Sequence, residues 1–197
     1  MPYLVADVVT AGTLASTPQP TLSADGLTLR PWRPGDRAAV VAAYADPAIR
    51  QWHCRTMDDA EAAAWLDAWP VRWHAESGAG WAVTDAADQV VGQVSLRAIV
   101  LADGVAEISY WVLPAHRGRR VAPRALAALT GWALGPLGLQ RLELRHATAN
   151  QPSCRVATRA GYAAEGVSRR AVLHADGWHD MHIHARVATD VDVSSLG

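Results

Sequence analysis

A mixed α/β (α+β) layered domain is the architecture that these 197 residues predict. Three features carry the expectation: strand-like alternation in several short runs, helical spacing in longer ones, and one basic loop joining a strand to a helix. In order, the pattern reads strand, two helices, three strands, helix, strand, helix, two strands. There is no internal repeat, and a chain of this length suits one core with a short extension.

Residues 1–20 end in Thr17-Pro18-Gln19-Pro20 and read as an arm, because the prolines break any regular element. An ordered run at 4–9 would add an edge strand or cover a partner subunit. Leu27–Trp32 alternates as a half-buried strand does. Pro34-Gly35-Asp36 signals a turn, with Asp36 placed to cap a helix through Ala45. A second helix is expected over 57–75, opened by Asp58 and Asp59, which suit the positive end of a helix dipole. Its Trp65, Trp69 and Trp73 fall four residues apart, the spacing of a face packed on a sheet. Residues 80–85, 90–100 and 105–113 follow as antiparallel strands, the last two joined by an Asp103-Gly104 turn. A helix over 121–134 stops at Gly135-Pro136. A strand at 140–146, a short helix from Asn150 to Ala160, and strands at 162–173 and 178–187 complete the expected domain at 21–190. Residues 191–197 are left as a tail.

Composition excludes several roles. The net charge is -1, and a nucleic-acid surface normally shows a broad basic face. No apolar run reaches membrane-spanning length, and the first sixteen residues lack the basic start of a signal peptide. Two cysteines, Cys54 and Cys154, are too few and too distant for a disulfide framework. The cytoplasm is the expected compartment.

Against that near-neutral background, four arginines crowd eight residues: Arg117, Arg119, Arg120 and Arg124. They sit where the strand Ile108–Leu113 turns into the helix at Val121. Unpaired N–H groups, the helix dipole and guanidinium groups together make an anion site, and a phosphate-bearing ligand is the simplest reason to gather them.

The same residues carry a resemblance. Leu29-Arg30-Pro31-Trp32, the run from Ile108 to Pro114 followed by Arg117–Ala122, and the run from Gly138 to Arg145 occur in the order found in the GNAT acetyltransferase superfamily. Asn150 with Ser153, Gly161-Tyr162, Glu165-Gly166 and Gly177–Met181 continue it. The chain is similar in particular to the branch that includes the ribosomal-protein N-acetyltransferases RimJ and RimL, over residues 20–188.

The resemblance implies a mostly antiparallel sheet splayed between its fourth and fifth strands, here 105–113 and 139–146. It implies acetyl-CoA as co-substrate, its pantetheine arm paired with backbone at Val112 and Leu113. Its pyrophosphate would rest on Arg117, Gly118, Arg119, Arg120, Val121 and Ala122. Asn150 would bond the arm and Ser153 would lie near the thioester sulfur. The family's loop carries glycine where this chain has Arg120, so a left-handed φ there would strain the residue.

Acetyl transfer needs a neutral amine, an N–H donor for the oxyanion and a donor to the leaving sulfur. Glu107 is the candidate base, Ser153 the candidate donor to sulfur, and the Val112 N–H the candidate oxyanion donor. Trp52, His53, Tyr110 and His179 are expected around the acceptor, a peptide N-terminus or a small amine. His179, Asp180, His182 and His184 are not expected to form a metal site, since 182 and 184 share a strand face that 179 does not. A homodimer is a candidate assembly. The competing expectation is a non-catalytic acyl-CoA-binding module that has lost turnover.

Overall fold

The computed structural model of the chain describes residues 4–190. Eight strands form one sheet: β1 (Leu22–Ser23), β2 (Thr28–Pro31), β3 (Gly78–Thr84), β4 (Val90–Val100), β5 (Val105–Val112), β6 (Arg141–Ala147), β7 (Ala163–His174) and β8 (Gly177–Val187). Five helices accompany them: α1 (Arg37–Ala45), α2 (Pro47–His53), α3 (Asp59–His74), α4 (Val121–Leu134) and α5 (Gln151–Arg159). The sheet order is β1-β2-β3-β4-β5-β6-β8-β7. Every neighbouring pair is antiparallel except β5 with β6. That exception follows from connectivity, because a helical crossover through α4 separates those two strands and permits a parallel pair.

The two-residue β1 was not anticipated, so the strands expected as fourth and fifth are β5 and β6. Their pairing runs from Val105 opposite Arg141 to Ile108 opposite Leu144 and stops there. β5 stays paired with β4 as far as Val112, and β6 stays paired with β8 as far as Ala147. Both strands therefore continue, each held on its outer side, while the inner edges part. The sheet is splayed where the sequence led one to expect it.

Helix α4 shows why the layer is stable. Val121, Ala125, Leu129 and Ala133 recur at four-residue spacing, Leu126 lies between them, and all five are buried in the main core. Fully burying a leucine side chain contributes roughly 1.5–3 kcal/mol. A second cluster joins Val40 and Tyr44 of α1, Ile49 of α2, Leu66 of α3 and Trp111 of β5. Trp69 and Trp73 are buried as expected, and Trp65 is half-buried. Gly80 makes the approach of α3 possible, since a Cβ there would lie 2.5 Å from the Trp69 ring.

Two local expectations are corrected. Asp36 does not cap α1 through its side chain. Its carboxylate instead takes both terminal nitrogens of Arg30, at 2.8 and 2.9 Å, and the Arg33 N–H at 2.8 Å. Arg30 is buried in β2, and a buried guanidinium left without a partner would cost far more than an empty cap. Helix α2 was missed altogether. Asp46 caps it, accepting from the Ile49 N–H at 3.0 Å, and Pro47 supplies a first-turn residue with no N–H to satisfy.

The run at 4–9 forms no strand; the Val8 and Val9 N–H groups instead donate to Ala102 and Leu101 carbonyls. Val9 and Leu14 enter the core, and the Trp73 and Trp81 indoles donate to Thr17 and Pro20 carbonyls at 2.8 Å. The tail expected at 191–197 lies outside the described residues. No helix among the described residues is long and apolar enough to cross a membrane.

Candidate active site

The gap between β5 and β6 is lined by backbone. The Leu113 N–H donates to the Val91 carbonyl of β4 at 3.0 Å. Antiparallel ladders alternate, so Val112 and Tyr110 turn their N–H and C=O groups the other way, into the gap. Two side chains confirm that direction: Arg117 Nε donates to the Val112 carbonyl at 3.3 Å, and His53 Nε2 lies 3.2 Å from the Tyr110 carbonyl. The Val112 N–H therefore faces the gap. The Leu113 groups do not, because its N–H serves Val91 and its carbonyl accepts from His116, which corrects its expected pairing with the pantetheine arm.

At the mouth of the gap, the chain leaves β5 through a single helical turn, Pro114–His116, and enters α4 through residues 117–120. Gly118 has φ +78° and Arg120 sits at φ 58°, ψ 26°, both left-handed. This curls the loop so that the first α4 amides, Val121 and Ala122, lack intrahelical partners. Pro123 occupies the third helical position without adding another unpaired donor.

The four arginines divide by role. Arg117 is 2.5 Å from the Asp46 carboxylate, so that charge is largely spent within the protein. Arg124 braces the loop from beneath, donating to the carbonyls of Asp25 at 2.5 Å, Arg119 at 3.0 Å and Arg120 at 3.3 Å. Arg119 and Arg120 are exposed. Two arginines not anticipated as ligands, Arg155 and Arg159 of α5, line the same cavity as Gly118, Arg120 and Val121. Their four-residue spacing on an amphipathic helix was the available signal.

That cavity has a volume of about 490 Å³. A second, about 600 Å³, is lined by Glu107, Arg97, Trp65 and Trp69. The two share Trp52, His53, Tyr110, Asn150 and Ser153. The two cavities therefore meet at a common waist, where Trp52, His53, Tyr110 and Ser153 gather, while Glu107 lines the larger cavity alone and His179 lines neither.

At that waist the Tyr110 hydroxyl lies 2.6 Å from Ser153 Oγ. Burial pushes the Tyr110 pKa up to about 12, with the Ser153 contact pulling the other way, so the phenol stays protonated at neutral pH. Asn150 caps α5, its side-chain oxygen accepting from the Ser153 N–H at 3.2 Å, and this fixes Ser153 in the first turn. Burial holds His53 down to about 4, so the ring is neutral. Its Nε2 must carry the hydrogen given to the Tyr110 carbonyl, leaving the lone pair on Nδ1. Glu107 lines the larger cavity, 3.4 Å from Arg97 and 3.9 Å from Arg145.

His179 stands one layer back from where it was expected. It packs on His174, ring centroids 4.5 Å apart, and on Trp52 at 6.0 Å, and its Nε2 bonds Asp176 at 2.8 Å. His174 faces the larger cavity instead. The Asp180 carboxylate is occupied by the Arg170 N–H at 2.7 Å. Cys54 has its thiol pushed upward by burial and by Asp176, which suits no nucleophile.

Comparison with known proteins agrees with this fold. The family model for the Acetyltransferase (GNAT) domain matches residues 26–163. A curated relative, the probable N-acetyltransferase YjcK of Bacillus subtilis, is 32% identical over 104 residues. That match covers 52% of this chain and 58% of the relative, so the chain spans little more than half its length. Mycobacterium smegmatis RimJ, solved with CoA-disulfide, shares the fold at TM-score 0.79 and 23% identity, over 87% of this chain and 88% of that one. RimL, the ribosomal L7/L12 alpha-N-protein acetyltransferase solved with coenzyme A, does so at TM-score 0.79 and 20% identity, over 88% and 100%. With the family match spanning well over half of its length and the splayed sheet in place, this chain belongs to the GNAT acetyltransferases.

Proposed function

We propose that the chain transfers an acetyl group from acetyl-CoA directly to a primary amine within a ternary complex. The observation that carries this is a pair of cavities, one lined by the α4 N-terminus and one by Glu107, that share Tyr110 and Ser153 at the β5–β6 gap. A cofactor entering from the α4 side and an amine entering from the Glu107 side would meet at one carbonyl carbon.

On this reading the pyrophosphate rests on the Val121 and Ala122 amides, with Arg119, Arg120, Arg155 and Arg159 around it. The pantetheine arm lies along the open edge at Tyr110 and Val112. The amine nitrogen attacks the thioester carbonyl, the N–C bond forms, and the Val112 N–H stabilises the oxyanion. The nitrogen gives its proton through water to Glu107, and the C–S bond breaks. Ser153 hydrogen-bonds the departing sulfur, with the Tyr110 hydroxyl behind it. A phenol held near 12 stabilises a thiolate by donating a hydrogen bond rather than by surrendering its proton, which solvent supplies. No covalent enzyme intermediate is needed.

The acceptor is a peptide N-terminus, the class named for RimL, or a small amine. Calorimetric titration with acetyl-CoA, paired with thiol release over a panel of peptides and small amines, tests the proposal. Binding with turnover on any amine supports it. Binding without turnover would make the chain an acyl-CoA-binding module, and no binding would overturn both.

A further inference from the structure

We propose that His146, Cys154, His182 and His184 form a binding site for a divalent cation of the zinc class, fastening β6, β8 and α5 to one another. The four come from three elements that sequence spacing does not relate. His146 faces His182 directly across the β6–β8 pair, His184 lies two residues further along the same face, and α5 lays Cys154 against them. One ligand atom from each lies within 4.8 Å of all the others. The edge of a tetrahedron at zinc–nitrogen and zinc–sulfur bond lengths is about 3.3–3.8 Å, so small side-chain adjustments close the set.

The imidazoles are also oriented as ligands. His146 Nδ1 lies 2.8 Å from the Ala147 carbonyl and His184 Nδ1 lies 3.3 Å from the Tyr162 carbonyl. A carbonyl only accepts, so each Nδ1 carries the hydrogen and each Nε2 presents its lone pair. Backbone carbonyls fix the tautomers of metal-bound histidines in this way. Those two Nε2 atoms, and His182 Nδ1, are buried with no hydrogen-bond partner among the described residues. His146 and His184 are 4% and 3% exposed. Buried polar atoms are nearly always paired, and here three unpaired nitrogens converge beside a free thiol. Three imidazoles and a thiolate suit zinc or cobalt and leave no open coordination position, which makes the site structural. It would also be a positioning device, because Cys154 adjoins Ser153 and the ion would hold the start of α5 against the gap.

Cobalt(II) titration of the chelator-treated full chain tests this without any acetyl transfer, so its outcome is separate from that of the functional proposal. About one equivalent should bind, with the strong visible bands of a four-coordinate site and a thiolate-to-cobalt charge-transfer band, and zinc should displace it. Cys154→Ser should abolish the charge-transfer band, and it and His182→Gln should each weaken affinity at least about tenfold. Zinc should raise the Tm of the wild type and not of the doubly substituted chain. Should the variants fail to fold, zinc-edge X-ray absorption of the wild type should count three nitrogen neighbours and one sulfur. Absence of the bands in excess cobalt, bands untouched by both substitutions, or a different ligand count would each overturn the site.

Discussion

The hydroxyls of Tyr110 and Ser153 touch at 2.6 Å across the β5–α5 boundary, and they belong to both cavities at once. Removing one leaves the other without its partner, but both are half-buried where the two cavities meet, so water can take the vacated place. Ser153→Ala and Tyr110→Phe should therefore each cost about 1 kcal/mol or less in urea unfolding. Both should lower kcat by about a hundredfold with little change in acetyl-CoA affinity, if the pair serves the leaving sulfur. A loss of several kcal/mol from either substitution would contradict access of water to the pair; an unchanged kcat would remove the pair from the chemistry.

Glu107 lines the larger cavity and not the one beneath the α4 N-terminus. Glu107→Gln should therefore lower kcat near neutral pH by about a hundredfold while leaving the calorimetric affinity for acetyl-CoA intact. A more basic acceptor, already protonated at the same pH, should suffer more than a less basic one. A rate that does not change would exclude Glu107 as the base.

The neutral His53 makes stability depend on pH in a definite direction. Folding lowers its pKa from 6.5 to about 4, chiefly through burial, so the unfolded chain binds the extra proton first. Stability is then full above pH 6.5, falls as pH drops toward 4, and levels below it. His174 is lowered too, also chiefly by burial, and adds to the same slope. The His53 share should be on the order of 3 kcal/mol across that window, read from urea melts at several pH values. His53→Gln retains a donor for the Tyr110 carbonyl and should flatten the slope. A stability that rises on acidification would refute the assignment.

How much of this was legible in the sequence depends on how local the signal is. Helix α4 was readable at both ends, because Val121 onward has one unbroken apolar period and Gly135-Pro136 ends it. Helix α2 was not, since its seven residues are too few for a period and Trp52 and His53 read as loop. Asp36 looked like a cap because its true partner, Arg30, is paired with it only after β2 is buried. The splay, Tyr110, Ser153 and Glu107 came from family likeness and stand together in space. Which arginines face outward was unreadable, since Arg117 is bound by Asp46, seventy-one positions away. The convergence of His146, Cys154, His182 and His184 was likewise invisible along the chain.

Arg120 holds φ 58° at the start of α4, where a Cβ is strained by roughly 1–2 kcal/mol. Arg120→Gly should release that strain, partly offset by the greater freedom of glycine when unfolded, for a net gain of about 0.5–1 kcal/mol in urea melts. The same substitution removes a charge from the mouth of the gap, so acetyl-CoA affinity should fall severalfold and become less sensitive to salt. Arg124→Ala makes the contrast. Its guanidinium donates to the loop carbonyls of Arg119 and Arg120 from beneath, and it should lower both stability and affinity. Stability and affinity moving in opposite directions for Arg120→Gly, and together for Arg124→Ala, would show that the loop tolerates a strained residue because its side chain meets the phosphate. If Arg120→Gly gains stability and loses no affinity, the strained arginine has no role in binding.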